Sequence, residues 1–169
     1  MKQVENTNSH STVEVRYPFR HSLPLQVRFS DIDRMGHVNN NVYFAYFDLG
    51  KTNYFSAVRE ATVAAAKEEE IPRDGIEASL NQPVVAANVN CDFLAPVRPD
   101  EPIEVNTQVD RIGSKSFVMV QAIMGSATGE LKALCATTLV AVDPRTGAAI
   151  EIPRALRVAV SAFEGRRIG

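Results

Sequence analysis

The sequence predicts an α+β fold in which a curved antiparallel β-sheet wraps a single long helix. Three observations lead there. Residues 42–70, VYFAYFDLGKTNYFSAVREATVAAAKEEE, are rich in helix formers, lack proline and open on a run that is apolar on nearly every side, the pattern of a helix buried inside a domain. Downstream, four segments with strand character follow one another across short turns, which joins neighbours antiparallel. Strands and helices do not alternate, and this argues against a doubly wound parallel sheet.

Taken in order, residues 1 to about 19 read as a flexible N-terminal extension, with Asn6–Thr12 built only from Asn, Thr, Ser and His, and residues 20–169 as one domain. Leu25–Phe29 alternates apolar and polar residues, as a strand with one buried face does. The long helix emerges into water through Arg59, Glu60, Lys67 and the run Glu68–Glu70, and ends at Pro72, Asp74 and Gly75. Pro83–Leu94 is the next strand, broken by Pro96, Pro99 and Asp100. Ile103–Ile112 alternates and is turned by Gly113-Ser114; Ser116–Met124 follows, then a turn over Gly125–Gly129. Leu131–Val142 is ended by DPRTG, a turn with Pro early and Gly late. Residues 153–164 form a short closing helix with Pro153 near its first turn.

A chain of 169 residues fits one domain with a sizeable core. Its 45% hydrophobic and 22% charged residues are those of a globular protein. A net charge of −2 leaves no electrostatic footprint for nucleic acid. No apolar run approaches the roughly 18 residues of a membrane helix, and the polar start is unlike a secretory signal, so a cytoplasmic protein without a membrane partner is expected. Cys91 and Cys135 are too few and too far apart for a metal knuckle and read as two reduced core thiols, with no metal site.

The chemistry is concentrated in DIDRMGHVNNNVYF, residues 31–44, directly before the apolar helix. The first N–H groups of a helix lack internal partners and carry the positive end of its dipole. Asn39, Asn40 or Asn41 can cap them by side chain, or one main-chain N–H can face a ligand oxygen that becomes negative during a reaction. Asp33 lies just upstream across a turn that Gly36 permits. A carboxylate facing a helix N-terminus across a small gap is a minimal acyl-transfer site, and His37 between them is placed to orient a water. The same residues also serve as plain turn and cap chemistry, and the pattern alone leaves both readings open.

The segment VRFSDIDRMGHVNNNVYFAYFDLGKTNYF resembles the signature of hotdog-fold acyl-CoA thioesterases of the 4-hydroxybenzoyl-CoA thioesterase type: an aromatic-ending strand, Asp-x-Asp-x-x-Gly, a short linker and an aromatic helix start. The likeness continues through VNCDFLAPVRPDEPIEVNTQVDRIGSKSFVM and VDPRTGAAIEIP, covering about residues 22–154. It implies the hotdog fold, hydrolysis of acyl-CoA to free acid and coenzyme A, and no cofactor beyond the coenzyme A of the substrate. It also implies a homodimer or homotetramer with sites between subunits. By position, Asp33 is then the carboxylate that attacks the thioester or activates water, and the Asn40 main-chain N–H polarises the carbonyl. His37-Val38-Asn39-Asn40 also resembles plant acyl-carrier-protein thioesterases, whose matching histidine takes part in hydrolysis, although Met35 stands where those enzymes carry asparagine.

Gly36 and Tyr43 belong to the same spacing and are expected around the substrate. Asn39 is read both ways, as a substrate contact and, with Asp31 and Asn41, as scaffolding. Asn81 and Gln82 open the strand that borders the partner's site in related hotdog proteins. Arg111 and Lys115 flank the Gly-Ser turn, as phosphate contacts or as solvated cations. Tyr46, Tyr54 and Phe55 are candidates to close the acyl tunnel. The alternative on the same fold is a non-catalytic acyl-CoA or acyl-carrier-protein binding module, which has no need of Asp33.

Overall fold

The computed structural model describes residues 18–69 and 81–168. The expected extension falls almost entirely outside the described residues. So do Glu70, Pro72, Asp74 and Gly75 at the expected end of the helix.

Five strands form one antiparallel sheet: β1 (His21–Leu25), β2 (Val84–Phe93), β3 (Ile103–Ile112), β4 (Ser116–Gly125) and β5 (Leu131–Ala141), in the spatial order β1-β3-β4-β5-β2. The long helix α1 (Asn40–Glu69) follows β1, and α2 (Arg154–Glu164) closes the chain. This is the hotdog arrangement, a curved sheet around a long central helix. Short turns join β3, β4 and β5 as the sequence predicts. After β5, Arg145 and Thr146 donate their N–H groups to Asp143 Oδ1 at 2.7 and 3.2 Å, and Gly147 takes a φ of 70° to complete the DPRTG turn.

The first strand lies upstream of its predicted place, over His21–Leu25 rather than Leu25–Phe29. Its partner sets the limit: Leu25 pairs with Ile103, the first residue of β3, and Pro102 precedes it, so residues 26–29 have no ladder to join. Leu25 and Val27 still pack on the core, whereas Phe29 enters a 3-10 turn and is 98% exposed.

Alternation sorts the sheet into two faces. Phe117, Met119 and Ile123 of β4 point toward the helices, and Val118, Val120 and Ala122 point away into a separate cluster with Leu134. Tyr43, Tyr46, Phe47, Tyr54 and Val58 of α1 are buried against the first face. The helix sits very low at Gly50, where an added Cβ would lie 2.5 Å from Val105 Cγ1 and 2.9 Å from Gln121 Nε2. Beside it, Gln121 Nε2 donates to the Phe47 carbonyl at 2.7 Å and to Thr107 Oγ1 at 3.2 Å. Helix and sheet are thus joined by polar bonds beside this close approach.

Helix α2 locks the far end. Glu164 is buried and its Oε1 accepts from Tyr54 Oη at 2.7 Å and from the Val109 N–H at 3.0 Å. The all-round apolar start of α1 is only partly covered within one chain: Phe44 and Leu49 stay exposed, as do Val85, Val89, Phe93 and Leu94 on and just after the edge strand β2.

Candidate active site

The polar cluster folds into a small looped turn ahead of α1. Ile32 and Val38 form a bridge, the Asp33 N–H donates to the His37 carbonyl at 2.9 Å, and the Gly36 N–H to the Asp33 carbonyl at 3.0 Å. Gly36 has φ 79°, a conformation that glycine adopts without cost. Asp33 Oδ1 accepts the Met35 N–H at 2.8 Å, and Oδ2 lies 3.9 Å from His37 Nδ1. Both side chains are partly exposed, so carboxylate and imidazole meet beside one another at a surface open to a ligand.

Both ends of the turn are anchored. Asp31 is buried, and its Oδ2 accepts the Arg28 N–H at 2.8 Å and the Tyr46 hydroxyl at 2.7 Å. Burial, and then the Asp31 carboxylate itself, push the Tyr46 phenol well above its ordinary range, so it stays a donor. At the other end Val38 is fully buried and its N–H reaches the Val97 carbonyl at 2.9 Å.

The helix start divides the three asparagines by role. Asn39 caps the helix: its N–H donates to the Asp31 carbonyl at 2.9 Å, and its Oδ1 accepts the Asn41 N–H at 2.9 Å. Asn40 is the first helical residue, and its N–H has no acceptor among the described residues. Asp33, Gly36, His37, Asn39 and Asn40 are therefore brought together at one end of α1. Tyr43 lies one turn further on, buried, with Oη accepting the Val97 N–H at 3.2 Å and its ring edge-on to Phe93.

The remaining predicted residues lie elsewhere. Asn81 Oδ1 accepts from Arg59, nineteen residues beyond Asn40 and so about 28 Å along the helix at 1.5 Å per residue. Gln82 Nε2 donates to the Val142 carbonyl at 2.7 Å and lines a cleft of about 260 Å³ with Lys51, Thr52, Ser56, Arg59 and Leu156. Phe55 is on the same wall. Lys115, in the β3–β4 turn, donates to the Ala149 carbonyl in the loop after β5 at 3.1 Å, and Arg111 pairs with Asp110. Tyr46 and Tyr54 are committed to the buried carboxylates Asp31 and Glu164.

A second cleft, of about 150 Å³, lies between α1 and strands β2, β4 and β5. Phe44, Phe47, Val89, Met119, Cys135 and Leu139 line it, with the ion-paired Asp48 and Lys51. The helix residues of this cleft went unrecognised in the sequence, although Phe44, Phe47 and Lys51 recur at the three-and-four spacing of one helix face. Phe44 sits four residues past Asn40, about 6 Å along the axis. An apolar cleft thus begins next to the polar turn.

Residues 27–160 match the family model of the thioesterase-like superfamily. The chain belongs to that superfamily. Among solved structures, a thioesterase from Thermus thermophilus complexed with coenzyme A and Zn is 27% identical with a TM-score of 0.69, over 89% of this chain and 98% of that one. YbaW, a probable thioesterase from Escherichia coli, shares the fold with a TM-score of 0.63 at 20% identity, over 85% of this chain and 98% of that one. YsmA of Bacillus subtilis strain 168, an uncharacterised protein, is 26% identical over 95 residues, 56% of this chain and 54% of YsmA. The match thus spans about half the length of that relative. Among the described residues no helix is long and apolar enough to cross a membrane.

Proposed function

We propose that the protein is an acyl-CoA thioesterase of the 4-hydroxybenzoyl-CoA thioesterase type. It hydrolyses the thioester with Asp33 as nucleophile or general base and the Asn40 main-chain N–H polarising the carbonyl. The observation that carries this reading is the pairing of a partly exposed Asp33 carboxylate with a helix N-terminus whose Asn40 N–H has no acceptor among the described residues. Attack on the carbonyl carbon moves charge onto its oxygen. A fixed N–H aided by the helix dipole stabilises that oxyanion without reorganising. Collapse breaks the C–S bond and releases the thiol of coenzyme A. Water supplies the new oxygen of the acid, either at once or by opening an Asp33 anhydride. His37, 3.9 Å from Asp33, orients the water or the carboxylate, and Gly36, Asn39 and Tyr43 shape the wall around the reacting group.

The coenzyme A bound by the Thermus thermophilus relative supports this substrate class, and the cleft beginning at Phe44 supplies an apolar channel for the acyl group. No metal or organic cofactor is needed. The exposed apolar residues of β2 and α1 support a homodimer formed along this edge. Sites then lie between subunits, and Asn81, Gln82 and Lys115 reach coenzyme A from the other chain. The proposed setting is the cytoplasm.

Two variants test the chemistry separately. Asp33→Asn keeps shape and removes the carboxylate; kcat on a panel of short, long and aromatic acyl-CoAs should fall about 100-fold or more. Asn40→Pro removes one N–H at the first helical position, where proline is tolerated. It should lower kcat about 100-fold with the helix intact by circular dichroism. A folded Asp33→Asn protein that releases thiol as fast as the wild type sinks the proposal. Tight binding of acyl-CoA with no thiol release by the wild type would mark a binding module instead.

A further inference from the structure

The chain has two cysteines, 44 positions apart, and the fold sets them opposite each other. Cys91 of β2 pairs with Cys135 of β5 in the antiparallel ladder. The class of this pair follows from its neighbours. The Leu94 N–H donates to the Lys132 carbonyl at 2.8 Å, which makes 94 and 132 a hydrogen-bonded pair in the same register. Pair types alternate along an antiparallel ladder. Three steps back, Cys91 and Cys135 therefore form a non-hydrogen-bonded pair, the class whose side chains approach most closely, with Cα atoms about 4.5 Å apart. That spacing lies inside the range a disulfide spans, about 4.4–6.8 Å between Cα atoms. The two residues are direct partners across the ladder, and Thr137 Oγ1 lies 3.7 Å from Cys135 Sγ.

We propose that Cys91 and Cys135 are a redox-modification site, forming a reversible intramolecular disulfide when the protein meets a small hydroperoxide. Both thiols point to the helix side of the sheet. Cys135 lines the 150 Å³ cleft, large enough to admit a molecule of peroxide size, and Cys91, half-buried, faces it across the ladder on the edge strand β2. The neighbouring Cys91 thiol and Thr137 hydroxyl hold the Cys135 thiol below its usual range against the effect of burial, which selects it as the first nucleophile. The Cys135 thiolate attacks one peroxide oxygen, the O–O bond breaks, and the departing hydroxide leaves as water with the proton Cys135 gave up. The Cys91 sulfur then attacks Cys135 sulfur and displaces hydroxide from the sulfenic acid, which takes the Cys91 proton as a second water. In balance, two thiols give two electrons and two protons, and one peroxide becomes two waters. The bond staples β2 to β5 and draws the Cys135 sulfur away from Thr137 on the cleft wall. The inference does not depend on the proposed thioesterase activity.

The test treats the reduced full-length protein with a few equivalents of hydrogen peroxide, then alkylates free thiols and weighs the intact chain. The expected species has lost two hydrogens, takes up no alkylating reagent, runs as a monomer on a non-reducing gel and returns to the starting mass with dithiothreitol. Its Tm should rise by roughly 5 °C or more, because the cross-link closes a long loop. Added oxygen without loss of the hydrogens, disulfides between chains, or two thiols that still alkylate would each overturn the proposal. Cys91→Ala, lacking the resolving thiol, should instead accumulate oxygen on Cys135.

Discussion

Replacing Gly50 by alanine should destabilise the protein, against the direction helix propensity gives. In an exposed helix interior Gly→Ala gains about 1 kcal/mol. Here the new Cβ would lie 2.5 Å from Val105 Cγ1 and 2.9 Å from Gln121 Nε2, distances at which something must move. Val105 is fully buried in β3, so it has no space to retreat into. Overpacking of this kind costs about 1–3 kcal/mol. Gln121 is held by the Phe47 carbonyl and Thr107 Oγ1, and displacing it leaves buried polar groups unpaired for about another 1–3 kcal/mol. Subtracting the propensity gain leaves a net loss of about 1–5 kcal/mol, or a Tm lower by about 2–20 °C for a chain of this size. Thermal melts followed by circular dichroism at one fixed protein concentration read this directly, with urea midpoints as a second measure. A Gly50→Ala protein that melts at or above the wild-type temperature would show that helix and sheet are not in contact here as described.

Two further outcomes follow from buried charge. Lys132 is buried between Glu101 and Glu130, 2.7 Å from each, so Lys132→Met strands the Glu101 carboxylate and should cost about 3–5 kcal/mol in urea unfolding. Burial raises the Glu101 carboxyl, but the bonds from Lys132 and the Arg98 N–H outweigh it and hold that carboxyl below its ordinary value. Its contribution is present above the unfolded value near 4.5 and is lost as pH falls below it. The acid side of the wild-type stability curve should therefore be steeper than that of Lys132→Met. For His21, burial pulls the imidazole below 6.5, ahead of the opposing effects of Asn53 and Glu164. The unfolded chain then binds a proton that the folded one refuses. Stability should fall as pH drops through the unfolded value near 6.5, and His21→Gln should flatten that segment.

Much of the sheet was legible because turn chemistry brackets it. Ile103–Ile112 falls between Pro102 and Gly113, and Leu131–Ala141 between Gly129 and the DPRTG turn, so alternation had fixed ends to work between. The first strand had no such end. Its alternation runs on through Val27, and only the start of β3 stops the ladder. The polar turn was legible as a cluster, but its division of labour was not: which asparagine caps the helix depends on where Asp31 holds the Asn39 N–H. The facing of Cys91 and Cys135 was hidden for a related reason. Strand register is a property of the pair, and here it shifts by one residue at the bulge between Ala86 and Asn88.

The buried Asp31 has a consequence for how this loop can diversify. With Asp31 tied to Tyr46 at one side and Val38 to Val97 at the other, the polar turn is a span between two fixed abutments. Arg34 and Met35 stand exposed on that span, and Gly36 alone within it takes a left-handed backbone conformation. Side chains at 34 and 35 can therefore be exchanged at little cost in stability while the neighbours of Asp33 change. The fold leaves room at this point for selection on a ligand to act almost independently of selection on folding.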